Sequence, residues 1–164
     1  MRKQHIGAAV FALALSSAAS AADEGSTVLW ISPSAKVAEA AFLIERGDVQ
    51  QGISVTMEAL EEKLTFRDRA AAMNNLCSAK LALRQLRDAI EHCTQAVKIG
   101  NRFWQGYNNR GNAYYLMGDY EAAIRDYEQG LTIRPESGIL KFNLRMAIDS
   151  QKRDAPPIVE EWES

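Results

Sequence analysis

The sequence predicts an all-α protein built from stacked pairs of helices, because one pattern occurs twice in it. Tyr107–Ile124 reads YNNRGNAYYLMGDYEAAI, and Met73–Ile90, which begins 34 residues earlier, reads MNNLCSAKLALRQLRDAI. Both segments contain an Asn-Asn pair, then an Ala four residues after the second Asn, and an Ala-Ile pair after the same gap. A period of this length is typical of folds in which one helical hairpin is repeated along the chain.

The clearest copy of the pattern is the segment 104–137, in which both helices and the turn between them are marked. In the first helix, Tyr107, Gly111 and Tyr114 share one face at the i, i+4, i+7 spacing. A Gly-Asp pair then breaks this helix, and a Pro ends the second one. The second helix has a similar face, formed by Ala123, Tyr127, Gly130 and Leu131. Small residues on both faces predict that the two helices pack closely.

This segment resembles the tetratricopeptide repeat, a helix–turn–helix unit of about 34 residues, at nearly every signature position. We assign residues 104–137 as the third repeat. One period earlier, residues 70–103 fit as the second repeat, although their turn, Leu83-Arg84-Gln85, lacks the usual Gly. Residues 33–66 form a looser first repeat, and residues 67–69 intervene before the second.

Residues 138–153 resume the helical pattern and are predicted to form a closing helix over the last hydrophobic face. The resemblance therefore implies a right-handed α-solenoid of three helix pairs and a C-terminal capping helix. Three repeats are about the minimum for a stable array of this kind. Residues 22–32 are predicted to be a linker, and the acidic, Pro-containing segment 154–164 a disordered tail.

Residues 1–21 are predicted to be a cleaved secretory signal peptide. Arg2 and Lys3 precede the ten-residue apolar run Ile6–Leu15, and Ala19-Ser20-Ala21 forms an A-x-A cleavage site. The run is too short for a membrane span, which needs about 20 apolar residues. We therefore expect an exported protein, located in the periplasm, that is not inserted in the membrane after cleavage.

Charge and motif content exclude several classes of function. Of the 19 basic groups, 17 remain without Arg2 and Lys3, against 21 acidic groups, and the two signs are interspersed. This balance, a net charge of −4, does not favour nucleic acid as a partner. One His remains after cleavage, and the chain has no nucleophile–base motif, Gly-rich phosphate loop or recognisable metal-ligand set. The sequence therefore predicts a protein that is not an enzyme and holds no cofactor.

The chain has two cysteines, Cys77 and Cys93, and both fall in the second repeat. They are almost equally far from the turn at Arg84, so they should lie at the same level on opposing helices. Their inward-facing positions and an oxidising compartment favour a disulfide, which we predict. Two buried free thiols are the alternative, since Cys is among the most buried residue types.

The repeated asparagines fall on the face of each first helix that is not buried against its partner helix. In the tetratricopeptide family the first helices line a concave groove, so the resemblance implies an asparagine ladder that grips the backbone of an extended segment. The predicted groove residues are Asn74, Asn75, Ser78, Asn108, Asn109, Asn112, Tyr115 and Asn143. Alternatively, the asparagines only hydrate the groove or bond within a helix pair. The family's lysine-rich clamp for a C-terminal carboxylate has no lysines here.

These features predict an adaptor whose groove binds an extended segment of a partner protein or peptide in the cell envelope. The second class left open is a structural subunit of a larger complex. A homo-oligomer assembled through the convex face or the ends of the array belongs to this second class.

Overall fold

The computed structural model describes residues 34–100 and 102–154, which form an all-α array. The predicted signal peptide 1–21, the linker 22–32 and the tail from residue 155 onward lie outside the described residues. No helix of the described part is long and apolar enough to cross a membrane. The helices are α1 (Ala35–Glu45), α2 (Val49–Leu60), α3 (Phe66–Ala82), α4 (Leu86–Ile99), α5 (Trp104–Met117), α6 (Tyr120–Ile133) and α7 (Gly138–Asp154).

The helices pair and stack in the order that the repeat pattern predicts. Helix α1 packs on α2, α3 on α4 and α5 on α6, and each of these second helices also contacts the first helix of the next repeat. The first helices contact one another directly, α1 with α3, α3 with α5 and α5 with α7. Within the described ranges, no second helix contacts another second helix. The first helices are therefore the more closely spaced row, and the surface that they form is called the inner face below.

Different residues at equivalent positions join the two helices of the second and third repeats near the middle of their length. In the third repeat the buried ring of Tyr127 packs on Gly111, where an added Cβ would lie 2.6 Å from Tyr127 Cε1. Glycine is required there because the rigid ring leaves no room for a side chain. The positions 34 residues earlier hold Cys77 and Cys93, both fully buried. In the structure these two form a disulfide with a Cα–Cα distance of 5.2 Å.

The three turns inside the repeats have one geometry, although only two of them contain glycine. Gly47, Arg84 and Gly118 occupy the equivalent position and adopt positive φ angles of 96°, 60° and 81°. In each turn this residue's N–H donates to the carbonyl three residues earlier at 3.0–3.1 Å. The following N–H donates to the carbonyl five residues earlier at 2.9–3.0 Å, which is a Schellman motif. Arg84 thus takes the left-handed conformation that the missing Gly would adopt freely.

Helix α3 begins earlier than the predicted boundary of the second repeat. Residues 67–69, which we predicted to lie between repeats, are the first turn of α3. Thr65 Oγ1 accepts a hydrogen bond from the Asp68 N–H (3.1 Å) and donates one to Asp68 Oδ2 (2.7 Å). This N-cap satisfies the Asp68 N–H and fixes the helix start. Asp154, predicted as the first residue of the tail, is likewise the last residue of α7.

The left-handed Arg84 predicts a stabilising substitution. Arg84→Gly should raise the free energy of unfolding by about 1 kcal/mol, because the left-handed region costs an L-residue about 1–2 kcal/mol and glycine returns part of that as chain entropy. Urea unfolding monitored by circular dichroism measures the change. Gly118→Ala is the matched control and should lower the free energy of unfolding, since its added Cβ meets nothing within 4 Å and only the backbone is strained. A loss of stability in both variants would contradict this account.

The disulfide predicts a second measurable contribution to stability. The double substitution Cys77→Ala/Cys93→Ala should lower the free energy of unfolding by about 3 kcal/mol, because it reopens a loop with a sequence separation of 16. Oxidation of the pair in the cell stays a prediction, and a thiol assay on the denatured protein purified from its host checks it. Two titratable thiols in that assay would show that the pair is reduced there.

Candidate functional site

The asparagines of the inner face form a seam of side-chain hydrogen bonds between neighbouring repeats. One column of the stacked first helices holds Asn75 on α3, Asn109 on α5 and Asn143 on α7. In every case the asparagine amide Nδ2 donates to the first helix of the preceding repeat. The seam therefore joins α1 to α3, α3 to α5 and α5 to α7.

In the two later repeats one Nδ2 group serves two acceptors that lie a helical turn apart. Asn109 donates to Asn74 Oδ1 at 2.9 Å and to Ser78 Oγ at 3.0 Å. Asn143 repeats the arrangement one unit later, with Asn108 Oδ1 at 3.0 Å and Asn112 Oδ1 at 3.2 Å. Because residues i and i+4 share a helix face, a single amide with two hydrogens can reach both acceptors.

The first repeat has no side-chain acceptor, and a backbone carbonyl takes its place. Asn75 Nδ2 donates to the Val37 carbonyl at 2.9 Å. Val37 occupies the position that Asn74 and Asn108 fill in the later repeats, and Ala41 occupies that of Ser78 and Asn112. The Asn75 amide therefore makes one hydrogen bond to the preceding helix, where Asn109 and Asn143 each make two. Each such set of bonds between two first helices is called a rung of the seam, and the rung between α1 and α3 has the fewest bonds.

Most of the side-chain amide nitrogens and oxygens of the inner-face asparagines make a hydrogen bond within the protein. The inner-face asparagines have only 4–9% of their surface exposed. Asn108 also donates to Asn109 Oδ1 (3.3 Å), and the Tyr127 hydroxyl donates to Asn112 Oδ1 (2.9 Å). Burial raises the pKa of Tyr127 well above its ordinary value, which keeps the hydroxyl protonated as a donor. Four amide ends make no hydrogen bond within the described residues: Asn74 Nδ2, Asn75 Oδ1, Asn112 Nδ2 and Asn143 Oδ1.

All of the predicted groove residues thus fall in one continuous strip on α3, α5 and α7. The sequence analysis left open whether the asparagines bind a partner, hydrate the groove or bond within a helix pair. The structure shows a further use, because their bonds cross from one repeat to the next. Whether the four remaining amide ends also bind a partner stays a prediction.

Tyr115 and the last helix form the C-terminal end of this strip. The Tyr115 hydroxyl lies 3.1 Å from Ser150 Oγ, and its ring is 5.5 Å from that of Tyr120. On α7, Phe142 and Met146 occupy the two columns that hold the amide acceptors in α5. The Phe142 side chain is 49% exposed, so the strip changes there from amide to apolar surface.

A buried ion pair behind the strip was not found from the sequence. Arg110 binds Asp126 through two hydrogen bonds of 2.8 and 2.7 Å and donates a third to Thr94 Oγ1 at 3.1 Å. The hydrogen bonds to Asp126 are the main reason that the pKa of the Arg110 guanidinium is raised. The pair connects α5, α6 and α4. A signal did exist, since the positions equivalent to Arg110 in α3 and α7 hold Leu76 and Leu144.

The preceding repeat has a neutral version of this arrangement. His92 occupies the position of Asp126, opposite Leu76 rather than an arginine. Among the described residues, His92 Nδ1 is buried without a hydrogen-bond partner. Burial lowers the pKa of His92, so the folded protein favours its neutral form.

Comparison with known proteins agrees with this geometry. A helical-repeat array whose first helices are joined side to side defines a class of binding scaffold rather than a closed globular domain. The family model described as tetratricopeptide repeat matches residues 104–137. The chain therefore contains a tetratricopeptide repeat, and its described helices have the fold of tetratricopeptide repeat domains.

Two solved structures share the fold. The Sgt2 TPR domain from Aspergillus fumigatus superposes with a TM-score of 0.64 at 21% identity, covering 79% of this chain and 87% of that one. The first TPR of Spaghetti (RPAP3) bound to the HSP90 peptide SRMEEVD gives a TM-score of 0.64 at 20% identity, covering 71% and 90%.

The curated relatives are much longer than this chain. The DnaJ homolog subfamily C member 7 homolog of Dictyostelium discoideum is 30% identical over 101 residues, which is 58% of this chain. The match spans 19% of that relative, so this chain corresponds to a small part of its length.

The seam predicts that Asn109 contributes far more to stability than Gln105, a half-buried residue on the same face of α5. Asn109→Ala should lower the free energy of unfolding by about 2 kcal/mol, because two buried acceptors lose their donor. Gln105→Ala, on the same face of α5, is the control and should change it by less than about 0.5 kcal/mol. Adding Asn74→Ala to each variant completes a double-mutant cycle, in which the Asn74–Asn109 coupling should be about 1 kcal/mol. Additive losses in that cycle would remove the basis for the seam.

Proposed function

We propose that the protein is a non-enzymatic adaptor that holds an extended segment of a partner protein along its inner face. The observation that carries this proposal is the exposure of Phe142 on that face. Equivalent positions in the two preceding repeats hold Asn74 and Asn108, whose oxygens accept from the next repeat. On α7 that column ends in a large apolar side chain open to solvent.

The spacing of the inner face suits an extended chain. Tightly packed helices lie about 8–10 Å apart, and an extended chain advances about 3.3 Å per residue. One rung of the seam would therefore meet about every third residue of the bound segment. The remaining amide ends of Asn74 and Asn112 are donors and those of Asn75 and Asn143 are acceptors, which suits the alternating groups of a peptide backbone.

Related folds support a peptide partner without identifying it. One neighbour of similar fold is described as bound to an HSP90 peptide, and the second TPR domain of human RPAP3 as in complex with the HSP70 peptide SGPTIEEVD. We therefore assign the chain to partner binding.

We further propose that the adaptor acts after export, in the periplasm. This rests on the signal-like residues 1–21 and on the Cys77–Cys93 disulfide, which an oxidising compartment favours. The intact mass of the protein purified from its own cells tests it. A mature chain that begins at Ala22 is expected, and a chain that retains residues 1–21 would end this part of the proposal.

Site-specific photocrosslinking in the host cell tests the adaptor itself. Benzoylphenylalanine replaces Phe142 on the inner face or, as a matched control, Phe42 on α1, which is 58% exposed. Both phenylalanines lie on first helices, and both have an arginine over the ring, Arg145 at 5.8 Å and Arg46 at 5.7 Å. We expect a crosslinked partner protein from position 142 and not from position 42. Equal crosslinking at the two positions, or none at 142, would contradict the proposal.

A structural role through the end of the array has one observation in its favour. Ala35, Ala38 and Phe42 are exposed on α1, whereas the equivalent residues of the next repeat, Ala72, Asn75 and Ala79, are buried against the repeat before them. Self-assembly through this end face predicts a dimer that Phe42→Glu converts to a monomer, as measured by light scattering after size-exclusion chromatography. A monomeric parent protein at micromolar concentration would exclude it.

A further inference from the structure

The inner face is almost free of charge. It comprises the columns of Gln105, Asn108, Asn109, Asn112 and Tyr115, together with the equivalent residues of α1, α3 and α7. In these columns α1 contributes Ser34, Val37, Ala38, Ala41 and Ile44, and α3 contributes Ala71, Asn74, Asn75, Ser78 and Leu81. Helix α7 contributes Ile139, Phe142, Asn143, Met146 and Asp149, so Asp149 is the one charged residue among these described positions.

Several cations of the first helices are directed to other partners, whereas Arg145 on α7 lies over the Phe142 ring at 5.8 Å. Lys36 lies 2.9 Å from Glu62, and Lys80 donates to Gln85 Oε1 at 2.9 Å. Arg110 is held by Asp126, and Arg153, one turn beyond Asp149, donates to Ser150 Oγ at 2.8 Å. A carboxylate bound along α3 and α5 would therefore lose water without meeting a cation, which is costly in a largely buried site.

Apolar surface lies at both ends of the strip, with the amides between them. Phe142 is exposed and Met146 half-buried on α7, while Ala38 is exposed and Ala41 half-buried on α1. Four first helices about 8–10 Å apart span the length of about eight or nine extended residues. The larger apolar surface is at the α7 end, because phenylalanine and methionine lie there.

We propose that the partner segment is uncharged, extended and about eight or nine residues long, with an apolar side chain that packs against Phe142 and Met146. This inference rests on the proposed adaptor function and specifies which segments that function accepts. Acidic peptides, such as those named for the related folds, are excluded because the described columns of α3 and α5 contain no cation and Arg145 lies only at the α7 end, over the Phe142 ring. Binding depends on amide hydrogen bonds and apolar contact and is insensitive to salt.

Selection from a peptide library tests the chemistry directly. Random nonapeptides displayed on phage, each between uncharged spacers, are selected on immobilised protein in 50 mM and 500 mM NaCl. We expect uncharged peptides with a large apolar residue toward one end, recovered at both salt concentrations. Synthetic SRMEEVD is the acidic comparison probe and should show no binding by fluorescence anisotropy.

Two variants connect the selected peptides to the strip. Phe142→Ala should weaken the Kd of a selected, fluorescein-labelled peptide about tenfold, as loss of a buried aromatic contact does. Phe42→Ala, which removes an equally exposed phenylalanine from the end face, should leave the Kd unchanged within twofold. Circular dichroism verifies that both variants are folded, since both replaced side chains are exposed.

The outcomes separate this inference from the adaptor function on which it rests. Enrichment of acidic peptides, or a Kd that rises steeply with salt, would overturn the neutral-segment inference while leaving a binding groove in place. Equal losses in the two phenylalanine variants would overturn the anchor at Phe142. If selection yields no binder and position 142 gives no crosslink, the adaptor function fails together with the inference.

Discussion

The amide hydrogen bonds of Asn75, Asn109 and Asn143 are the interaction on which the rest of the array depends. Ala79, Ala113 and Ala147 on the same helices are small and fully buried, so they permit close packing but give little directional preference. The two hydrogens of Asn109 and Asn143 supply that preference, because each amide must find two oxygens one helical turn apart. An aspartate at these positions would have no donor, and two buried oxygens would remain without partners. The seam therefore sets both the spacing and the alignment of the stack.

The same seam restricts what the inner face can do. Amides committed to neighbouring repeats cannot turn outward without leaving buried acceptors unsatisfied, and such groups cost about 1–3 kcal/mol each. The buried parts of Asn109 and Asn143 therefore belong to the scaffold, and the amide ends left for the proposed partner are those of Asn74, Asn75, Asn112 and Asn143. Substitution of a seam asparagine changes stability and binding together. Phe142 is exposed and makes no seam bond, so it separates the two effects.

The fold could be predicted from the sequence because the residues that form and end the helices recur within the repeats. The Asn-Asn pair, the small residues and the Gly-Asp turn recur, and the equivalence of positions follows from the period. The N-cap of α3 at Thr65 was missed because three extra residues there were interpreted as an insertion instead of a helix turn. Arg84 could be identified as standing in a glycine position, but its positive φ becomes evident only when the turn closes with the same bonds as the other two.

The site could be predicted less well, for a reason that lies in the stacking. A 34-residue period identifies Asn75, Asn109 and Asn143 as equivalent, yet hydrogen bonds do not join equivalent residues. They join positions 35 and 31 residues apart, as in Asn109 with Asn74 and with Ser78. The difference between these separations and the 34-residue period depends on how adjacent first helices pack, and it cannot be read from the sequence of one repeat. Arg110 and Asp126, 16 residues apart on partner helices, were missed because their ion pair occurs in the third repeat and does not recur with the period, since Leu76 and His92 stand at the equivalent positions of the second repeat.

The ends of the seam follow from the same pairing. Each amide donor, Asn75, Asn109 or Asn143, needs an acceptor on the first helix before it. At one end of the array the donor position holds an apolar residue, and at the other end the acceptor positions do. Ala38 stands in the donor column of α1, so α1 has no amide to offer to a preceding helix. Phe142 and Met146 stand in the acceptor columns of α7, so α7 offers no oxygen to a following amide. The seam thus stops at α1 and α7 through side-chain chemistry. Phenylalanine in an acceptor column makes no rung of the seam, and its exposure is what makes the α7 end of the strip available to a partner.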